Sequence, residues 1–252
     1  MPGRRLEGGW AMRICVVGGD ARFARLRLAL REYGKARGTA YIFGEEKALD
    51  AWETPLQPED LAMIFSAKER VIGGKGAVAL LREESFLREN ACLTAEGALV
   101  AAASRAPFAL LGSVCLVVGY GRIGAALVDR LVGLGAKPVV YSRRAEGRLR
   151  AMARGAQAVE SLPQALAQAN FVFSTPPDLL LTKDVLQYAR KEARIVDLAS
   201  APYGVDLAAA QEMGLEAWRE SGVPGRYCPD SAAEALERAV RAVIDRERGC
   251  EQ

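Results

Sequence analysis

The sequence predicts an α/β protein of two lobes, a small N-terminal lobe and a doubly wound, Rossmann-type lobe, each on a parallel sheet. Three observations carry this expectation. Apolar runs of strand length alternate with helical periodicity along the chain, the signature of βαβ units. One of these runs leads directly into Gly119-Tyr-Gly-Arg-Ile-Gly124, a G-x-G-x-x-G turn. The chain has 252 residues, 50% hydrophobic and 26% charged, enough for one large domain or two small ones.

The first lobe is expected over residues 12–93. It opens with the strand Ile14–Val17, then Gly18-Gly19-Asp20 and a basic helix reaching about Tyr33. Strands follow at Ala40–Phe43 and Leu61–Phe65, separated by a proline-bearing loop from Asp50 to Glu59. Val71–Gly76 reads as a loop that opens a helix over Ala77–Glu84. Residues 94–106 form a connecting helix, with Thr94 as N-cap and Glu96 in its positive first turn. Pro107 and Gly112 break the chain after it.

The Rossmann lobe is expected over residues 107–230. Its strands are Val114–Val118, Lys137–Tyr141, Phe171–Phe173, Arg194–Asp197 and Leu215–Trp218, with helices near Leu162–Gln168, Lys183–Ala189 and Leu207–Met213. A final amphipathic helix, 231–248, carries Ala232, Ala235, Leu236, Ala239, Val240, Val243 and Ile244 at helical spacing. It is a candidate to pack on the first lobe.

Composition excludes several functions. Lys plus Arg is 34 and Asp plus Glu is 31, a net charge of +3, which gives no bulk basic charge for nucleic acid. There is no histidine, so Ser-His-Asp and Cys-His catalysis and His-ligated metals are ruled out. The five cysteines are dispersed with no CxxC pair; they read as reduced thiols, and no metal site is expected. No apolar run reaches the roughly 18 residues of a membrane span. A cytoplasmic protein is expected.

The glycine fingerprint points to a dinucleotide because its context is right: it follows a strand and opens a helix. Gly119 permits the tight turn, Gly121 the approach of a pyrophosphate, and Gly124 close packing of helix on strand. Tyr120, Arg122 and Ile123 complete the turn, whose helix N-terminus offers amides to an anion. NAD-specific folds place an acid at the tip of the next strand, whereas here Tyr141 leads into Ser142-Arg143-Arg144. Ser142 can hydrogen-bond a 2′-phosphate and the two arginines can neutralise it, so NADP is favoured over NAD. Thr175-Pro176-Pro177 ends a further strand and belongs to the same cofactor site. Ser200, in Asp197-Leu-Ala-Ser200, ends the next one and is a candidate to contact the carboxamide or the substrate.

Without histidine, proton movement falls to other groups. Glu96 is the candidate base, with Thr94 and Ser200 as the other catalytic candidates. Ser66, Lys75, Gly225 and Arg226 are candidate substrate-binding positions, the two cations being suited to a carboxylate.

The pattern resembles the family of dipicolinate synthase A subunits of spore-forming bacteria. The resemblance rests on Val17-Gly-Gly-Asp-Ala-Arg22, Asn90, Leu93-Thr-Ala-Glu-Gly97, Leu111-Gly-Ser113, Gly119–Gly124, Asp197–Ser200, Gly204-Val-Asp206, Val223-Pro-Gly225, Cys228-Pro229 and Ala232-Ala-Glu234. It implies NAD(P)-dependent oxidation of a dihydrodipicolinate-type intermediate of the lysine pathway to dipicolinate during sporulation. It also implies a small flavodoxin-like N-terminal lobe beside the Rossmann lobe, a small dicarboxylate substrate and a second, flavoprotein-like subunit. Homodimer formation is a further option. The stretch between Gly18 and Thr94 is short for the family, and about one βα unit near Phe65–Leu87 is expected to be missing or compressed. Two other readings stand beside this one: a related dehydrogenase for another small carboxylate or imine, and a non-catalytic dinucleotide-binding sensor or partner subunit.

Overall fold

The structure, a computed structural model, describes residues 5–6, 9–30, 32–34, 38–45, 50–66, 68, 70–72 and 74–249. It divides into two compact units, residues 1–90 with 224–252, and residues 91–223. Among the described residues no helix is long and apolar enough to cross a membrane.

The first unit holds β1 (Arg5–Leu6), β2 (Gly9–Val17), α1 (Ala21–Ala29), β3 (Glu32–Gly34), β4 (Thr39–Phe43), β5 (Leu61–Ile64), β6 (Arg70–Ile72) and β7 (Lys75–Ala79). Strands β2, β4, β5 and β7 are parallel neighbours in that order, with Ile14 opposite Ala40, Ile42 opposite Met63 and Met63 opposite Val78. Antiparallel pieces finish both edges: β1 and β3 on β2, and β6 on β7. Phe23, Phe43, Phe86, Met12, Leu26 and Ile64 are fully buried. Phe65 meets Phe23 and Phe86 edge-on, at centroid distances of 5.3 and 5.8 Å.

The helix expected to reach about Tyr33 ends at Ala29, and Tyr33 lies in β3; two further expectations fail in this unit. Residues 77–79 are strand, not helix: Gly74 turns the chain with φ of +85°, and β7 then pairs with both β6 and β5. An Ala/Val run of strand length suits a buried strand or a helix equally, and sheet pairing decides. A hairpin thus occupies the place where a βα unit was expected to be missing or compressed. Second, the connecting helix begins ten residues early, as α2 (Glu84–Ala103). The stretch from Glu84 to Ala91 contains no proline or glycine, so nothing stops the helix short of it. Thr94 is therefore a buried mid-helix residue, not an N-cap, and Glu96 is not in the first turn.

The second unit carries β8 (Val114–Val118), α3 (Arg122–Gly133), β9 (Lys137–Tyr141), α4 (Ala145–Met152), β10 (Gln157–Val159), α5 (Leu162–Leu166), β11 (Phe171–Ser174), α6 (Lys183–Leu186), β12 (Arg194–Asp197), α7 (Leu207–Glu212) and β13 (Glu216–Arg219). The sheet order is β10-β9-β8-β11-β12-β13, every pair parallel. The chain runs outward from β8 to β10 and returns to start the other half at β11. Doubly wound sheets open a crevice at that reversal, at the carboxyl ends of the strands. Leu116, Val118, Val172 and Ile195 pack one face beneath it. The short α8 (Val223–Tyr227) and the long α9 (Pro229–Gly249) complete the chain. Within the first unit α9 buries Leu236, Val240, Val243 and Ile244 and is ion-paired through Asp230 to Arg25 and through Arg246 to Glu83.

Candidate functional site

A cleft of about 350 Å³ opens at the carboxyl ends of β8, β9 and β11. Gly119, Tyr120, Gly121, Tyr141, Ser142, Arg143, Arg144, Thr175, Pro176, Pro177 and Leu180 line it. The structure thus brings together the three segments singled out for a dinucleotide; Tyr141 and Leu180 were not anticipated.

Each glycine has its own reason. Gly119 has φ of +88°, a conformation L side chains rarely adopt. A side chain there would also stand 2.7 Å from Thr175 Oγ1. A Cβ on Gly124 would be 2.3 Å from the Gly119 carbonyl oxygen and 3.5 Å from a Val117 methyl of β8, so helix and strand pack as the spacing predicts. Gly121 differs: a Cβ there would meet nothing within 4 Å. It N-caps α3 with no side-chain cap, and the first turn carries no acid. An open, uncapped helix N-terminus without a competing carboxylate fits a pyrophosphate. Arg122 and Ile123 lie in that first turn.

The loop after β9 is held from behind. Arg148 donates to the Ser142 carbonyl at 2.8 Å and to that of Arg143 at 3.3 Å, and is ion-paired with Glu160. The Ser142 hydroxyl donates to the Arg144 carbonyl at 3.3 Å. Arg143 is ion-paired at 2.7 Å with Asp178, directly after the Pro176-Pro177 pair. A carboxylate therefore does stand at this end of the cleft, delivered by the β11 loop and not by the β9 tip. Burial pushes the Tyr120 phenol up, Asp129 adding to the rise against Arg154 and Arg150; it stays protonated and donates to the Arg150 carbonyl at 3.2 Å.

The β11 and β12 loops are stitched together. Thr175 donates to the Val118 carbonyl through its amide and its hydroxyl, each at 3.0 Å. Leu181 bridges Val205, and its amide reaches the Gly204 carbonyl at 3.0 Å. Asp197 is fully buried and accepts from the amides of Ala199 and Gly204 at 3.2 and 3.3 Å. It also takes the Nε of Arg219 at 3.3 Å. The Arg219 guanidinium lies 3.4 Å over the Tyr203 ring. Ser174 is also buried, and its hydroxyl finds no partner among the described residues. Asp178, Tyr203 and Arg219 escaped the sequence reading because their partners lie far away along the chain.

The catalytic and substrate candidates scatter. Glu96 lies on the flank of α3, bound to Arg130 at 2.7 and 3.1 Å. Burial works against the Arg130 charge, but its hydrogen bonds to Glu96 and Cys92 hold it above its ordinary range. Arg130 lies in the last turn of α3, some 12 Å of helical rise from the N-terminus that faces the cleft. Glu96 is therefore corrected from base to structural ion-pair partner. Thr94 is buried, while Ser200 is exposed on the turn after β12.

The other four belong to the first unit. Ser66 is buried just past β5, its hydroxyl accepting from the Lys68 amide at 3.1 Å. Lys75 opens β7, which runs parallel to β5, so it lies at the opposite end of the strands from Ser66. Its ammonium holds the carbonyls of Pro58 and Asp60, the latter at 2.8 Å. Lys75 is thus a loop tie, not a partner of Ser66. Gly225 is packed so tightly that a Cβ would stand 2.7 Å from an Asp20 carboxylate oxygen, and Arg226 sits 5.6 Å from the Tyr227 ring. Asp20 itself caps α1 and chelates the buried Arg22. Two of the resemblance motifs therefore meet in one packing contact.

Fold and cleft together define a dehydrogenase-type α/β protein whose Rossmann unit is built for a nicotinamide dinucleotide. Residues 83–209 match the D-isomer specific 2-hydroxyacid dehydrogenase, NAD binding domain, and the chain belongs to that family. It is similar to the A subunit of dipicolinate synthase from Bacillus subtilis (strain 168), 26% identical over 169 residues, 66% of this chain and 57% of that protein. The matched region thus spans little more than half of that relative's length. The solved dipicolinate synthase A chain from Bacillus subtilis superposes with a TM-score of 0.74 at 19% identity, over 96% of this chain and 98% of that one. Its counterpart from Bacillus halodurans gives 0.72 at 20% identity, over 92% and 97%. The resemblance carried by the motifs is borne out, and so is the α/β fold with its Rossmann lobe.

Proposed function

We propose that this chain oxidises a small dihydrodipicolinate-type dicarboxylate to an aromatic pyridine dicarboxylate, with NADP preferred and NAD as the alternative. The observation that carries the reading is the cleft, where an open Gly121 and an uncapped α3 N-terminus face Ser142, Arg143 and Arg144 across one groove. Likeness to the dipicolinate synthase A subunits supports the substrate class, a role in sporulation and a second, flavoprotein-like subunit. The four described cysteines are free, which suits a reducing cytoplasm.

A bound nicotinamide dinucleotide would supply hydride acceptance. The residues of the chain position and hold. The α3 amides and the Gly119-Tyr120-Gly121 backbone seat the pyrophosphate. Ser142, Arg143 and Arg144 hold a 2′-phosphate through charge-assisted hydrogen bonds. Thr175, Pro176 and Pro177 form a rigid wall opposite. Aromatisation of the product drives the oxidation, so orientation and a proton exit suffice. With Glu96 held by Arg130, the proton leaves through solvent near Ser200. The β6–β7 hairpin, standing where a βα unit was expected, favours one second reading: a related dehydrogenase for another small carboxylate or imine.

The test mixes the protein with freshly generated 4-hydroxy-tetrahydrodipicolinate, which loses water to give the dihydro substrate, and NADP or NAD, with and without a candidate partner subunit. Reduced nicotinamide and the ultraviolet band of dipicolinate are followed together. Both are expected to rise in step, and Gly121→Asp, which places a carboxylate against the pyrophosphate, is expected to abolish both. A rise in reduced nicotinamide with other imines but not with this substrate selects the second reading. Absence of dinucleotide binding to the unaltered protein overturns both.

A further inference from the structure

We propose that Arg219 is a carboxylate-binding residue, the anchor of a small-carboxylate subsite at the carboxyl ends of β12 and β13. The inference rests on the dinucleotide reading and names the substrate chemistry beside it.

The guanidinium is held on two sides. Its Nε donates to Asp197 at 3.3 Å, and one of its faces covers the Tyr203 ring at 3.4 Å. Asp197 is fully buried, so it serves as a fixed point and not as a solvated counter-ion. Its charge is also shared with the Ala199 and Gly204 amides, so it only partly offsets the arginine. Tyr203 has φ of +72°, a left-handed conformation that a non-glycine residue keeps only where the surroundings impose it. The strained backbone presents the ring on which Arg219 lies.

This clamp leaves the outer edge of the guanidinium open. Neither Nη group of Arg219 has an acceptor among the described residues, and the side chain is 29% exposed. Two parallel N–H groups on a fixed plane match a carboxylate bidentately. An arginine clamped by ring and carboxylate loses little further side-chain freedom on binding, the condition for selective anion capture.

The location supports a substrate role. Gly204, next to Tyr203, approaches the cofactor cleft: a Cβ on it would lie 3.2 Å from the Pro176 carbonyl oxygen and 2.2 Å from Ser174 Oγ. The buried Ser174 hydroxyl, without a protein partner among the described residues, lies beside the same loop. Exposed Ser200 opens that loop, and its carbonyl accepts from the Tyr203 amide at 2.9 Å. Trp218 neighbours Arg219 in β13, with Arg105 stacked 4.3 Å over its ring, and so supplies an optical reporter.

The experiment titrates pyridine-2,6-dicarboxylate into the full chain saturated with NADP and follows tryptophan fluorescence, with Trp218→Phe as the control for signal origin. Isothermal calorimetry gives the same affinity independently. Arg219→Lys keeps the charge and the reach to Asp197 but removes the planar fork; affinity is expected to fall at least fivefold. Arg219→Gln is expected to lose tenfold or more, with NADPH affinity changed less than twofold in both variants. Unchanged dicarboxylate affinity in Arg219→Lys or Arg219→Gln overturns the proposal. So does a loss of dicarboxylate and NADPH binding together in Arg219→Lys, which marks a purely structural clamp. Should Arg219→Gln fail to fold, the lysine variant decides alone. If NADPH does not bind the unaltered protein, the cofactor reading fails, whatever the dicarboxylate does.

Discussion

Asp178 changes what the basic residues after β9 can do. An exposed ion pair such as Arg143–Asp178 is worth about 0–1 kcal/mol, yet a 2′-phosphate must displace the carboxylate to reach Arg143. A 2′-hydroxyl makes no such demand. Asp178→Asn is therefore expected to tighten NADPH binding by up to about fivefold, the ceiling set by that energy, and to leave NADH within twofold. Parallel titrations of both reduced cofactors check this, and equal shifts would remove Asp178 from any part in selection. The glycine turn and Ser142-Arg143-Arg144 were legible because their meaning is local: a turn needs its glycines where they stand. Asp178 and Arg219 were not legible, because nothing in either residue's neighbourhood names Arg143 or Asp197 as its partner. Glu96 misled for the same reason, as Arg130 claims it from another helix.

At the scale of the element, β8 carries a second test. Cys115 is buried in it, and burial pushes its thiol from an ordinary 9.0 up to about 12. The native state therefore keeps the proton where the unfolded chain has released it. This contribution to stability is intact below pH 9 and is lost as pH rises from 9 towards 12. At pH 8.5 Cys115 is expected to resist iodoacetamide in the native protein and to react once urea unfolds it, with peptide mass spectrometry as the readout. The strands of this sheet were readable because parallel strands buried on both faces are continuous apolar runs, as in Val114–Val118. The first unit was less so. Lys75–Ala79 has small apolar residues that either helix or strand accepts, and only pairing with Ala62–Ile64 decides. Glu84–Ala91 mixes charged, polar and apolar residues and hides its helix behind the more obvious Thr94–Ser104 segment.

At the scale of the whole molecule, the first unit is assembled from two stretches of chain. Residues 1–90 are completed by residues 224–252, and α9 contributes Leu236, Val240, Val243 and Ile244 to its buried core. Each such side chain is worth about 1.5–3 kcal/mol of burial, and their sum is comparable to the whole stability of a small domain. Removal of residues 229–252 is expected to unfold the first unit while the second still binds NADPH. Hydrogen exchange resolved by segment, run beside a NADPH titration, reads both outcomes. Cooperative loss of both units would show that they do not fold independently.

The same interrupted path sets an order of events at the ribosome. The entire dinucleotide-binding stretch is synthesised after Asn90 and before α9 exists. At about 5–20 residues per second, the opening ninety residues wait on the order of ten seconds to half a minute for the helix that closes their core. During that interval α1, which packs on α9, lacks its final cover, and this is when a chaperone has most to shield. Slowing translation through residues 91–223 should lengthen the exposure and lower the yield of intact protein.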